Sequence, residues 1–258
     1  MDEKRIIMRV LFIANSFADD TIEYMPRIAK DFGIDLEVHN LYIGGCSIQT
    51  HINNILNNAP AYEYRIFDEN KDEWYTKYNV SINETLENER WDIIVLQQCS
   101  ALSGVKNGLE GIEKLIDLVD SHALNKDYEL IWNMTWSYPK ENQFDVFRDH
   151  FNYDSEYMFS RIAANVKEKI VPIKKFKKII PNGTAVENVR NVFTSEQIHR
   201  DYFHLTFGLG RFLAGLTAMK TIFDIDLTKT KYCPNGVSKE EKESAIKAAE
   251  LAVYSSLL

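Results

Sequence analysis

Cysteine is scarce in this chain, with three among 258 residues, at positions 46, 99 and 233. Three widely spaced thiols cannot build a disulfide framework, and without a close C-x-x-C pair they do not make a zinc site. Long hydrophobic runs are missing too. No window approaches the ~18 apolar residues of a membrane span, and the apolar run at residues 10–14 is too short for the core of a signal peptide. Basic excess is also absent. Lys and Arg number 30 against 38 Asp and Glu, a formal net charge of −8, which argues against a nucleic-acid partner. There is no repeat of 20–50 residues, no low-complexity stretch and no Pro/Gly/Ser-rich linker. These absences predict one domain over residues 1–258, with no membrane partner. They also predict a cytoplasmic setting for the chain as it stands, unless a leader preceded it. A chain of this length removes roughly 70–75% of its unfolded surface from water, enough for a core without staples.

What is present is an alternation of short apolar runs with helical patterns. Residues 9–14 (RVLFIA), 34–41, 91–96 (WDIIVL), 129–134 (ELIWNM) and 178–181 (KIIP) read as strands, the first as one buried on both faces and the third as buried too. Helical spacing fills 20–32, 47–58, 83–88, 108–123, 145–170, 184–193, 208–223 and 239–257, with Asp19 or Asp20 as first N-cap, Ser47 as another, and Gly33 as a C′ residue. Residues 61–80 break the rhythm with two alternating aromatic runs around the polar turn DENKD, the pattern of an inserted β-hairpin. Strand–helix alternation with buried strands predicts an α/β fold with a parallel sheet covered on both faces. In such sheets ligands bind beyond the carboxyl ends of the strands, near a switch point in strand order.

The residues that follow the strands therefore carry the functional reading. After the first comes N-S-F at 15–17, where Ser16 either exposes a hydroxyl at a strand-to-helix turn or simply caps it. After the second come Gly44 and Gly45, which let a backbone approach a ligand or merely make a tight turn. Gln97 and Gln98 end the third, neutral amides able to donate to an oxyanion or to anchor a loop. Trp136 and Tyr138 lie in an aromatic loop after the fourth, suited to walling a sugar pocket or to plain packing. Asp201 precedes His204 by three residues, so its carboxylate can bind Nδ1–H and leave Nε2 free as a base. A serine, a base, an orienting carboxylate and neutral donors are the parts that acyl transfer needs. No segment carries G-x-S-x-G, so the common α/β-hydrolase signature is absent.

The ordered set resembles the SGNH (GDSL-type) hydrolase superfamily, and within it a branch with an N-S-F nucleophile block. F-I-A-N-S-F at 12–17 looks like the first block, G-G-C-S at 44–47 like the second, D-I-I-V-L-Q-Q-C-S at 92–100 falls where the third belongs, and D-Y-F-H-L at 201–205 resembles the fifth. The resemblance implies a flavodoxin-like three-layer α/β/α sandwich with five parallel strands in the order 2-1-3-4-5. It implies a serine esterase with Ser16 as nucleophile, His204 as base and Asp201 as its orienting partner, with no metal or other cofactor. Gly45 would donate its backbone N–H to the oxyanion. The usual G-D-S aspartate is replaced by Asn15, and the third block lacks the asparagine that usually supplies a donor; Gln98 is the first candidate to replace it, with Gln97 and Ser100 behind. Gln97, Trp136 and Tyr138 are the expected substrate contacts, and the substrate a small-molecule or carbohydrate ester with a short acyl group. The altered third block keeps open the alternative of a weak or inactive hydrolase-fold binding protein. His39, His51, His122 and His150 are scattered and read as surface or packing residues, and His199 as a residue at the rim of the site.

Overall fold

A computed structural model describes residues 7–255. The chain opens with β1 (Met8–Ala14), α1 (Ser16–Ile22), α2 (Met25–Asp31), β2 (Leu36–Tyr42) and α3 (Ile48–Leu56), followed by the hairpin β3 (Tyr62–Asp68) and β4 (Glu73–Val80). It continues through α4 (Ile82–Asn88), β5 (Ile93–Leu96), α5 (Ser100–Ser103), α6 (Ile112–His122) and β6 (Glu129–Asn133). Then come α7 (Asp145–Phe151), α8 (Ser155–Asn165), a π turn (Val166–Ile170), β7 (Phe176–Ile180), α9 (Asn182–Arg190), α10 (Ser195–Ile198), α11 (Leu209–Phe223) and α12 (Lys239–Ser255).

The seven strands form one sheet in the order β4-β3-β2-β1-β5-β6-β7. From β2 to β7 the neighbours are parallel, which is the order 2-1-3-4-5 for the five strands read from the sequence. The hairpin is not a separate flap. It pairs antiparallel with β2 and extends the sheet, turning Tyr62, Tyr64 and Ile66 inward while β4 stays largely exposed. β1 lies at the switch point, and its residues 10–14 are fully buried, each large apolar side chain contributing about 1.5–3 kcal/mol. Helices α1, α2, α9, α11 and α12 pack together as one layer and α3, α4 and α6 as another, so both faces are covered.

Several helix limits differ from the sequence reading, each for a local reason. The first helix starts at Ser16, because Asn15 is extended and its side chain accepts the Phe17 N–H, so neither Asp19 nor Asp20 is the cap. It also breaks before α2, where Pro26 in the first turn cannot donate to the preceding turn. The segment 145–170 splits where Asn152 and Tyr153 adopt positive φ and Asp154 caps α8. Ser47 caps α3, and Gly33 takes φ +68 after α2 as read. The last helix is described to Ser255, and its expected end at residue 257 lies outside the described residues.

Candidate active site

β1 delivers Asn15 and Ser16 at the carboxyl edge of the sheet, where the chain turns straight into α1. From the other side of the crevice, a short antiparallel bridge between His199 and Leu205 closes a loop over this turn. Tyr202 takes φ +62 at the loop's tip. Inside it, Asp201 Oδ1 accepts the backbone N–H groups of Phe203 (3.3 Å) and His204 (2.7 Å), while Oδ2 lies 2.7 Å from His204 Nδ1. His204 Nε2 is 2.8 Å from Ser16 Oγ. Burial pulls the Asp201 carboxyl upward, but hydrogen bonds from the His204 ring and from the loop N–H groups outweigh it, leaving the group more acidic than usual. The Phe203 ring packs 3.7 Å from the imidazole, and Phe17 lies 5.8 Å away.

The loop is held down by charges that sequence reasoning did not single out. Asp20 sits one helical turn after Ser16 on the same face of α1 and is fully buried. Its Oδ2 accepts the Leu205 N–H at 2.7 Å, and its Oδ1 meets Arg200 at 2.9 Å and Arg211 at 2.8 Å. Arg200 also donates to the Leu205 carbonyl, and Arg211 reaches Glu23 at 2.6 Å. The available signal was a pair of arginines around the D-x-x-H segment facing an unexplained aspartate four residues after the serine.

Residues 44–46 form the neighbouring loop, with Gly45 at φ +62, a conformation that suits glycine. Asn15 Nδ2 donates to the Cys46 carbonyl at 3.1 Å and ties this loop to the Ser16 turn. Among the described residues, the backbone N–H groups of Ser16 and Gly45 meet no protein acceptor.

The third expected donor is not free. Gln98 Oε1 accepts from Ile48 N–H (3.1 Å) and Cys99 N–H (2.8 Å), and its Nε2 donates to the Gly108 carbonyl. That amide clamps three backbone segments together instead of facing the serine. Ser100 is engaged with the Tyr138 hydroxyl at 2.8 Å. The expected substrate contacts are corrected as well, because Gln97, Trp136 and Tyr138 are all buried. Gln97 joins Asn15 to Asn133. Trp136 stacks on Phe17 at 4.1 Å and donates to the Phe203 carbonyl at 2.7 Å. Trp136 packs behind the Ser16 turn through Phe17, and Tyr138 lies 6.0 Å from Phe203. Tyr202 and Phe207, by contrast, are 43% and 58% exposed on the His204 loop and just beyond it.

The remaining candidates separate clearly. Burial pushes the Cys46 thiol up to about 12 and raises Cys99, so both stay protonated and unreactive. His199 is buried instead of lying at the rim, and burial lowers it to about 3. Among the described residues, no group of three or more His, Cys, Asp and Glu side chains is placed to hold a metal ion, and no helix is long and apolar enough to cross a membrane. The hairpin docks on α1 through Trp74 Nε1, which donates to the Glu23 carbonyl at 3.2 Å, and Arg65, 3.4 Å from Asp19. Between them lies a cavity of about 250 Å³ bounded by Asp19, Glu23, Arg65, Trp74, Thr76 and Arg211.

Residues 9–252 match the family model described as "Domain of unknown function (DUF4886)". The crystal structure of a DUF4886 family protein from Bacteroides uniformis ATCC 8492 superposes with a TM-score of 0.90 at 32% identity, covering 96% of this chain and 95% of that one. A putative SGNH hydrolase from Slackia heliotrinireducens gives a TM-score of 0.51 at 17% identity, over 84% of this chain and 100% of that one. Axe2, an acetylxylan esterase from Geobacillus stearothermophilus, gives 0.51 at 10% identity, over 83% and 93%. The last two likenesses are of fold. No curated protein matches the chain.

Proposed function

The chain belongs to the DUF4886 family, and from that premise we propose that it is a serine hydrolase cleaving a short-chain acyl ester. One observation carries the reading: a continuous hydrogen-bonded line from Ser16 Oγ to His204 Nε2 (2.8 Å) and from His204 Nδ1 to Asp201 (2.7 Å). A hydroxyl is a weak nucleophile until a base takes its proton. His204 Nε2 takes that proton as Ser16 Oγ attacks the ester carbonyl, and Asp201 stays ionised and fixes the ring. The unpartnered N–H groups of Ser16 and Gly45 hold the oxyanion. His204 then returns the proton to the leaving alcohol, and water, activated by the same imidazole, releases the acid.

The acyl group is short, because the Phe17, Trp136 and Phe203 rings fill the wall beside the triad by packing on one another. An O-acetylated carbohydrate is the favoured alcohol. Its support is the fold shared with an acetylxylan esterase and the exposed Tyr202 ring, which offers a stacking face on the His204 loop. Because Gln98 is committed elsewhere, the oxyanion has two backbone donors, and one missing donor commonly costs about 10²–10³ in turnover. That same commitment favours, as a second reading, a binding protein on a hydrolase fold.

A fluorophosphonate probe separates the two readings. The esterase reading expects labelling at Ser16, hydrolysis of p-nitrophenyl acetate, and a drop of at least about 10³ in turnover for Ser16→Ala. A folded protein whose serine stays unlabelled, or a Ser16→Ala variant with full turnover, would overturn it in favour of the binder.

A further inference from the structure

Beneath the triad, the ends of the parallel strands are linked by side-chain amides. Asn182, at the start of α9, donates through Nδ2 to Asn133 Oδ1 at 2.9 Å, and Asn133, the last residue of β6, donates to Gln97 Oε1 at 2.7 Å. Gln97, directly after β5, donates to Asn15 Oδ1 at 2.6 Å, and Asn15 donates to the Cys46 carbonyl at 3.1 Å. All four side chains are buried. Thr21 Oγ1 braces the line, accepting from Asn133 and Asn182 and donating to the Phe17 carbonyl at 2.8 Å.

Two backbone groups fix the direction of the whole line. The Phe17 N–H only donates, so Oδ1 of Asn15 must face it (3.1 Å), and the Cys46 carbonyl only accepts, so Nδ2 must face that. Each amide then dictates the next, and every donor points the same way, from β7 across to the loop that carries Gly45. Aligned in a buried, low-dielectric interior, such bonds polarise and strengthen one another.

We infer that Asn15 is a positioning residue for the oxyanion, holding the Gly45 and Cys46 peptides against the Ser16 turn, and that it must be an amide because it donates to one backbone group while accepting from another. The inference rests on the esterase reading. A carboxylate here would still satisfy Phe17 and Gln97 but would meet the Cys46 carbonyl oxygen without a proton to offer. The aspartate of the usual G-D-S block is therefore the wrong residue for this chain.

Asn15→Asp and Asn15→Leu test this, with p-nitrophenyl acetate turnover normalised to the fraction of sites that a fluorophosphonate titrates. The groups around the position are the Gln97 amide directly after β5, Asn40 of β2 (3.3 Å from the Asn15 carbonyl), the Cys46 thiol, the Asp19 carboxyl one turn along α1, and His204 with Asp201 across Ser16. In Asn15→Asp the protonated carboxyl can still donate to Cys46 and the carboxylate cannot. Compared with the parent at each pH, turnover is expected to fall as that carboxyl ionises, ending about 10- to 100-fold below the parent in kcat with KM little changed, a partial loss of what a missing oxyanion donor costs. Asn15→Leu is expected to be slow at every pH, and amide exchange over residues 43–48 faster in both variants at high pH. A plateau for Asn15→Asp within about threefold of the parent, or unchanged exchange over 43–48, would overturn the inference. Should Asn15→Leu not fold, Asn15→Asp below and above its titration is its own control. A parent that hydrolyses no ester defeats the proposed function instead, and the exchange measurement still decides whether Asn15 holds the loop.

Discussion

The two sides of the proposed triad are held by opposite means. The His204 side is held by charge: a carboxylate hydrogen-bonded to the imidazole and to two N–H groups, and a buried aspartate gripping two arginines and the Leu205 backbone. The Ser16 side is held by neutral amides, buried and aligned from strand end to strand end. Solvent access accounts for the contrast. The Asp201 side chain is 41% exposed, so water helps solvate it and only Asp20 needs full pairing inside. Beneath the serine the side chains are buried, and a lone charge there would be heavily penalised, whereas an amide brings a donor and an acceptor without one. His204 is placed from the rim and Ser16 from the core.

The comparison breaks first at Asp20. Asp20→Ala leaves Arg200 and Arg211 without their shared buried partner and frees the Leu205 N–H. Breaking a buried pair from one side costs about 3–5 kcal/mol. Chemical denaturation should show that loss, together with falling turnover as the His204 loop lifts from α1. A stability change below about 1 kcal/mol, the scale of a surface ion pair, would mean that charge does not hold this side. Gln97→Leu makes the matching test on the amide side. It keeps the volume but removes the link between Asn15 and Asn133, and an unsatisfied buried group costs about 1–3 kcal/mol. The loss should be smaller than for Asp20→Ala and indifferent to salt. Equal losses would erase the distinction between the two sides.

The strand that delivers Ser16 was legible from the sequence because it is a continuous apolar run, a pattern that burial on both faces demands. Ser16 and the Asp201–His204 pair were legible as local features, a strand-end serine and a D-x-x-H spacing, but their meeting was not, because residues 201–204 reach Ser16 from a loop between two helices. The supports were not legible. Gln97 and Gln98 stand side by side with the same side chain, and the alternating direction of an extended backbone sends one to Asn15 and the other to three loop backbones. Nothing in the sequence says which. Trp136 and Tyr138 misled because an aromatic loop after a strand reads the same whether its rings face solvent or each other. Asp20 looked like a helix cap because the pairing that buries it comes from residues 200 and 211, some 180 positions away.

Acid gives the sharpest view of what the two sides share. Each encloses one buried histidine: His199 in the bridge of the His204 loop, and His51 beneath the residue 44–46 loop, hydrogen-bonded to Tyr62 at 2.9 Å. Burial lowers both from 6.5 to about 3, with the Arg190 charge adding to the effect at His199. Between those values the unfolded chain binds a proton at each site that the folded chain refuses. Stability therefore falls as pH drops below 6.5, by at most about 1.4 kcal/mol per pH unit for each histidine, and levels off only near the folded value. Asp201 adds nothing to the upper part of this window, because its depressed carboxyl keeps its full contribution above the ordinary carboxylate value and loses it only from there down through the folded value. His199→Phe and His51→Phe should each flatten the slope between pH 6 and 4 in denaturant titrations, and the double variant should flatten it most. An unchanged slope for His199→Phe would place the acid sensitivity of that side in its carboxylates, and an unchanged slope for His51→Phe would show that the amide side has no acid sensitivity.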